Sequence, residues 1–338
     1  MNTTTFTANG EYLVGGTAID VRVWRAADGR QIAMMPTQGG VPCVAASTNG
    51  KWIAAGTAFG LLFVWDATTN WQPVITNQAG APVNNIDFSP DSTRLVFALN
   101  NGTIAIREIA RPIARTFNVS GRVFAAKYSP QGDRVAITTD ESVQVWDSNN
   151  GQLLVNVNVQ VRACGSLPWC KNHLLVLTRD GKIKQINAAN GSIVSEWSVL
   201  PSAQWPCIAL PQHGKFLACS ANSNKRVVFW DTTKHSQLRT IHLSSDIFSF
   251  TFSSDDSLLA IVIVGSKIVI RTLFQSVSVR FMSFNLHPIP TSHSRTLNLI
   301  STRLHSMHGS AANLQTQKHY YLMQSHRRIS IMYLLVEL

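Results

Sequence analysis

Charge is scarce in this chain. Only 14% of its 338 residues are Asp, Glu, Lys or Arg, well under the usual quarter, and that shortage excludes a coiled coil or a disordered acidic domain. The five cysteines (Cys43, Cys164, Cys170, Cys207, Cys219) are odd in number and form no Cys-x-x-Cys pair. They read as reduced thiols rather than a disulfide framework or a zinc site. Met1–Tyr12 lacks the apolar run of a secretory leader. The most apolar stretch, Leu258–Phe274, is interrupted by Gly265-Ser266 and carries Lys267 and Arg271. It is short of the roughly 20 residues a membrane span needs, and it reads as two buried strands joined by a turn.

Enzymatic signatures are missing as well. There is no phosphate loop, no Gly-x-Gly-x-x-Gly, no His-Glu-x-x-His and no Gly-x-Ser-x-Gly. His173, His213, His235 and His242 are scattered and read as solvated loop residues. Asp140-Glu141 and Asp255-Asp256 are adjacent in turns and point apart, a poor arrangement for paired acid and base work. No metal, cofactor or small-molecule substrate site is expected.

What the chain does contain is a repeat. Seven short β runs end at Trp24, Trp65, Arg107, Trp146, Ile186, Trp230 and Arg271, and these positions lie 41, 42, 39, 40, 44 and 41 residues apart. That is the period of a propeller blade, about 40–45 residues. Ahead of each run comes a strand–turn–strand signature. Phe88-Ser89-Pro90-Asp91, Tyr128-Ser129-Pro130-Gln131-Gly132 and Phe252-Ser253-Ser254-Asp255 are clear cases, and Leu167-Pro168-Trp169-Cys170 is the weakest. Proline sets φ and removes a donor, and Asp, Asn or Gly then turns the chain. Asp28-Gly29, Asn150-Gly151 and Asn190-Gly191 mark a further tight turn into an outermost strand. Asp66, Asp147 and Asp231, each following a tryptophan, read as strand-end hydrogen bonders.

These motifs resemble the WD-repeat family over seven units and about 273 residues. The resemblance implies an all-β, seven-bladed WD40-type β-propeller over residues 1–273. A four-stranded sheet cannot bury both faces alone, whereas stacking around an axis buries them. The chain departs from the family in lacking most Gly-His pairs and most turn aspartates; Asp20, Asp140 and Asp180 are the exceptions. Apolar packing is therefore expected to replace much of the usual buried polar network. The outermost strand of the seventh blade must follow Leu273, and the alternating segment 274–285 (Val277, Val279, Phe281) is the candidate.

Composition changes after Phe274. The tail carries a net charge of +5 against +6 on the propeller, and it holds six of the ten histidines and no tryptophan. Residues 286–338 read as a basic His/Ser/Arg-rich tail that binds nucleic acid or acidic lipid, or is disordered, or is translated sequence that never evolved as protein. Its one adjacent basic pair and sparse aromatics speak against nucleic acid. The apolar runs from Tyr320 and from Ile331 are suited to a short helix or strand.

The family resemblance implies a binding module and not an enzyme. In WD-repeat proteins the top face is built by the loop leading into each blade and the loop between its second and third strands. Those loops carry Phe59, Arg122, Arg179, Trp205, Lys225 and Arg226 here. Exposed aromatic and arginine residues are common interface anchors, so the expected function is a protein–protein interaction scaffold or adaptor. Its partner would be acidic and apolar in character, and its location the cytoplasm, with the nucleus as the other compartment. Val64-Trp65-Asp66-Ala67-Thr68-Thr69 and Ala126-Lys127-Tyr128-Ser129-Pro130-Gln131-Gly132 also resemble fungal WD-repeat proteins similar to the C-terminal halves of NACHT-type signalling ATPases. That likeness implies the alternative of a detached ligand-sensing module.

Overall fold

The computed structural model describes residues 3–162, 166–199, 207–211, 213–221, 225–264, 267–273, 319–325 and 328–334. Strands β1–β4 (Thr3–Phe6, Tyr12–Gly16, Asp20–Arg25, Gln31–Pro36) form the first blade, β5–β8 (Cys43–Ala46, Trp52–Gly56, Leu61–Asp66, Gln72–Gln78) the second. The third is β9–β12 (Val83–Phe88, Arg94–Leu99, Thr103–Glu108, Ala114–Asn118) and the fourth β13–β16 (Val123–Tyr128, Arg134–Thr139, Ser142–Asp147, Leu153–Asn158). The fifth is β17–β20 (Trp169–Cys170, His173–Leu177, Lys182–Asn187, Ile193–Ser198) and the sixth β21–β24 (Ile208–Ala209, Phe216–Ala221, Arg226–Asp231, Gln237–His242). Blade seven has three described strands, β25–β27 (Ile247–Phe252, Leu258–Ile263, Lys267–Thr272). Each blade is an antiparallel meander in chain order. The expected seven-bladed propeller is the observed fold.

One backbone bond verifies the alignment of the seven repeats. Ala26, Ala67, Ile109, Ser148, Ala188, Thr232 and Leu273 each donate N–H to the carbonyl just ahead of their own blade's second strand, on Glu11, Lys51, Thr93, Asp133, Asn172, Lys215 and Ser257. Every donor lies two residues beyond one of the seven positions that define the repeat.

Packing follows the same order. Among the described residues the apolar core is seven clusters, one at each seam between consecutive blades. At the seam of blades two and three, Ala54, Leu62, Val64 and Ile75 meet Leu95, Phe97 and Ala105. At the last seam Ala260, Val262, Ile268 and Ile270 of blade seven meet Phe6, Leu13 and Trp24 of blade one, so the ring is closed by side-chain packing. Middle strands lie between two neighbours and are buried almost throughout, as in β10 and β14. Outermost strands bury little; β8 buries only Ile75. Near the axis the blades crowd, and glycine makes the approach feasible. A Cβ on Gly56 would come within 2.4 Å of Val83 Cγ1, and one on Gly16 within 2.6 Å of Val41 Cγ1.

The departures from the family's polar network have local replacements. In blade four the Trp146 indole N–H donates to Gln144 Oε1 at 2.9 Å, Gln144 Nε2 donates to Ser142 Oγ at 3.1 Å, and Ser142 lies 3.1 Å from Thr139 Oγ1. In blade one Thr17 Oγ1 donates to Asp20 Oδ1 at 2.6 Å, and the Arg22 guanidinium donates Nε and Nη2 to the same carboxylate. Asp20 and Arg22 are both buried. The open inner edge of a blade also finds partners across the seam. Asn85 Oδ1 accepts Ala126 N–H, Asp87 Oδ2 accepts Tyr128 N–H, and Lys127 Nζ lies 2.8 Å from Asp87 Oδ1. Such bonds satisfy a strand edge that would otherwise be a pairing hazard.

Cys43 and Cys219 are buried free thiols, pushed up to about 12 by burial, while Cys164 lies outside the described residues. Asp66, Asp147 and Asp231 each accept backbone N–H bonds from the turn that follows, as expected. His213 is exposed, as its loop position suggested, while His235 is partly covered. His213 Nδ1 lies 2.5 Å from the buried Asp256 carboxylate of the next blade, and His235 stacks on Trp197 with ring centroids 4.2 Å apart. Segment 274–285, the candidate outer strand of blade seven, lies outside the described residues. In the tail, His319–Ser325 (β28) pairs antiparallel with Arg328–Leu334 (β29). Among the described residues no helix is long and apolar enough to cross a membrane.

Candidate interaction face

The loops between second and third strands, and those linking blades, lie at one end of the ring and are stitched together by backbone bonds. Ala58 N–H donates to Gly40, Asn100 to Pro82, Asp140 to Arg122, Arg179 to Gln160 and Val264 to Asp246. In blades two, three, four, five and seven this clasp ties the loop to the chain arriving from the blade before.

Phe59 sits in the second blade's loop with 71% of its surface exposed. Its ring rests on Gly39, where a Cβ would fall 2.4 Å from the ring, and Gly39 has φ +88°, a conformation natural to glycine. Gln78 Nε2 holds the Phe59 carbonyl at 3.2 Å. Arg122 leads into blade four, its N–H bonded to Asp140 Oδ1 at 2.9 Å and its guanidinium 5.9 Å from the Phe124 ring. Arg179 and Lys225 are exposed in the loops of blades five and six, and Arg226 is half-buried at the start of β23. Trp205 lies outside the described residues. The fold thus places the other five candidates on one end of the ring, spread over blades two, four, five and six. No hydrogen bond or ion pair joins any two of them among the described residues.

Three of the acids nearby are committed internally. Asp140 caps the Arg122 loop. Asp180 accepts the Thr178 hydroxyl, and that bond holds its carboxyl below the usual range. Glu196 is held low by Lys182, whose Nζ lies 2.9 Å away, and it also pairs with Lys184. Arg122, Arg179 and Lys225 make no such ion pair among the described residues, so their charge faces outward. Ile19, 61% exposed in the equivalent loop of blade one, was not among the sequence candidates. Its place two residues after Thr17, as Phe59 follows Thr57, was the signal available.

Inside the ring a cavity of about 480 Å³ receives residues from all seven blades, among them Thr4, Cys43, Asn85, Lys127, Trp169 and Phe248. Its one ammonium, Lys127, is neutralised by Asp87. Among the described residues no three His, Cys, Asp or Glu side chains gather as metal ligands would.

The fold and repeat define a seven-bladed β-propeller of WD40 type. The propeller domain of Cps50 (Swd1) from Myceliophteria thermophila superposes with a TM-score of 0.71 at 15% identity, covering 80% of this chain and 95% of that one. In sequence the chain is similar to WD-repeat proteins. WD repeat-containing protein 18 of Danio rerio is 21% identical over 69% of this chain, and its human counterpart 23% over 71%. COMPASS component SWD3 of Saccharomyces cerevisiae is 24% identical over 46% of this chain and 51% of its own length. The match spans 61% of the zebrafish protein and 62% of the human one. No family model matches the chain.

Proposed function

We propose that this protein is an interaction scaffold that holds a partner protein on the face carrying Phe59, Arg122, Arg179, Lys225 and Arg226. The observation that carries the reading is the pairing of an exposed aromatic seated on glycine with cations that no described acid neutralises. Aromatic and arginine side chains at an interface centre dominate binding energy, and unneutralised cations steer an acidic surface toward them. SWD3 is a component of an assembly by its name, which suits a propeller that works by joining other proteins. The reading assigns this chain no chemistry and places it in the cytoplasm.

Partner capture from a lysate of the source cells tests it. Phe59→Ala and the double reversal Arg179→Glu/Arg226→Glu should each remove the same co-purifying protein while leaving the melting temperature unchanged. Undiminished capture by both variants would remove this face from consideration. The second reading, a sensor module detached from a NACHT-type ATPase, rests on the turn motifs around Trp65 and Tyr128. It requires the endogenous protein to run well above 37.2 kDa.

A further inference from the structure

A second surface lies on the rim between blades one and two, away from the loop face. The turn joining the third and fourth strands has one length in five of the six blades that show it. Trp24, Arg107, Trp146, Ile186 and Trp230 pair with Gln31, Ala114, Leu153, Ile193 and Gln237, always seven residues on. In blade two Trp65 pairs with Pro73, eight residues on. The extra residue is Trp71. Asn70 occupies the left-handed seat that Gly29, Gly151 and Gly191 fill elsewhere, with φ +54°, and Trp71 follows at φ +61°. Left-handed backbone at a bulky residue is costly, about 1–3 kcal/mol, and such strain clusters at binding sites.

The longer turn builds a groove of about 440 Å³ between β4 and β8. Its floor is the stacked pair Phe63 and Trp65, with centroids 5.3 Å apart. Its walls include Trp71, braced edge-on by Tyr12, with Met34, Pro36 and Pro73. Met34 is 51% exposed. None of the lining residues is ionisable. The side-chain amides of Asn70 and Gln72 and the hydroxyl of Thr76 have no partner among the described residues.

This inventory selects its occupant. A charged ligand would be desolvated here without a counter-ion. A neutral one packs apolar groups on the aromatic floor and can offer carbonyl acceptors to the three solvent-exposed donors. An extended proline-rich segment meets both conditions, since its rings pack on aromatic walls, its carbonyls point outward, and it brings no N–H of its own needing an acceptor. We propose that the Trp71 groove docks an uncharged, proline-rich stretch of a partner protein, independently of the loop face.

The test uses the full chain and an acetylated, amidated ten-residue polyproline peptide, followed by calorimetry and tryptophan fluorescence. Saturable binding with half-saturation below about 1 mM is expected. Met34→Glu places a charge on an exposed wall and should weaken binding by about tenfold or more at unchanged melting temperature. Deleting Trp71 together with Asn70→Gly restores the turn of the other blades, and should abolish binding while keeping the fold. Phe59→Ala should bind as the native chain does. The proposal fails if the peptide does not saturate, if Met34→Glu binds equally well, if a peptide with alternating glutamates binds as tightly, or if Phe59→Ala loses binding.

Discussion

Blades three and four differ from blades five and six in how their inner edges are held. At the seam of three and four, β9 and β13 are each six residues long, and Asn84, Asn85 and Asp87 all reach across to the backbone of the next blade. At the seam of five and six, β17 and β21 are two residues each, and the indole N–H of Trp197 has no hydrogen-bond partner among the described residues. Apolar contacts and the stack on His235 hold Trp197 instead. One repeat has thus been kept by two means. Among the described residues the first seam is cross-linked by polar inner-strand side chains, and the second is held at its outer strand by burial and a ring stack.

The sharpest break of that comparison falls on blade seven. It has three described strands, and the seam it makes with blade one receives no outer strand among the described residues. Removing residues 274–285 should lower the melting temperature by about 10 °C, the largest effect foreseen. An unchanged melting curve would show that three strands suffice. Next comes the buried pair of blade one. Asp20→Ala leaves Arg22 without its counter-ion and should cost about 3–5 kcal/mol in urea unfolding. Asp20→Leu with Arg22→Met should recover most of that loss, and a double variant as unstable as the single would mean the pair itself stabilises the seam.

Smaller effects separate the two seams directly. Asp87→Ala leaves the Tyr128 N–H and Lys127 unsatisfied and should cost about 1–3 kcal/mol. Amides of blades three and four should then exchange no more slowly than those of blades five and six; if the native chain already shows equal exchange, the comparison is void. The least effect concerns acid. Hydrogen bonds from Ser253 and then Ser257 hold the Asp255 carboxyl below its ordinary 3.8. A depressed folded pKa contributes stability above the unfolded value and loses it as pH falls through the folded one. The gap between native and Ser253→Ala chains should therefore be widest above pH 3.8 and narrow below it, down to the pH-independent part that comes from the lost Leu258 N–H bond to Ser253 Oγ, a narrowing that thermal melts across that range would reveal.

Much of the fold was legible beforehand because a propeller repeats. Trp24, Trp65, Trp146 and Trp230 recur at blade spacing, and even Arg107, Ile186 and Arg271 keep register since the strand pattern around them survives. The place of five candidates was legible for the same reason. Strand order alone sends Phe59, Arg122, Arg179, Lys225 and Arg226 to one end. Which acids leave those cations unneutralised was not legible, because Asp140 and Asp180 spend their oxygens on neighbours that only the folded loops bring near. The Trp71 groove was likewise hidden. One extra residue in a turn is within the ordinary scatter of repeat lengths, and its consequence depends on Met34 and Tyr12 of another blade.

By itself the sequence determined the number of blades, the strand order and the absence of a familiar catalytic motif, since these follow from local alternation and turn chemistry repeated at a fixed period. Only the tertiary structure decided how the ring closes, through Phe6, Leu13 and Trp24 against blade seven, and which polar groups are paired. Those matters depend on contacts between residues up to a full chain circuit apart, and periodicity within one repeat carries no record of them.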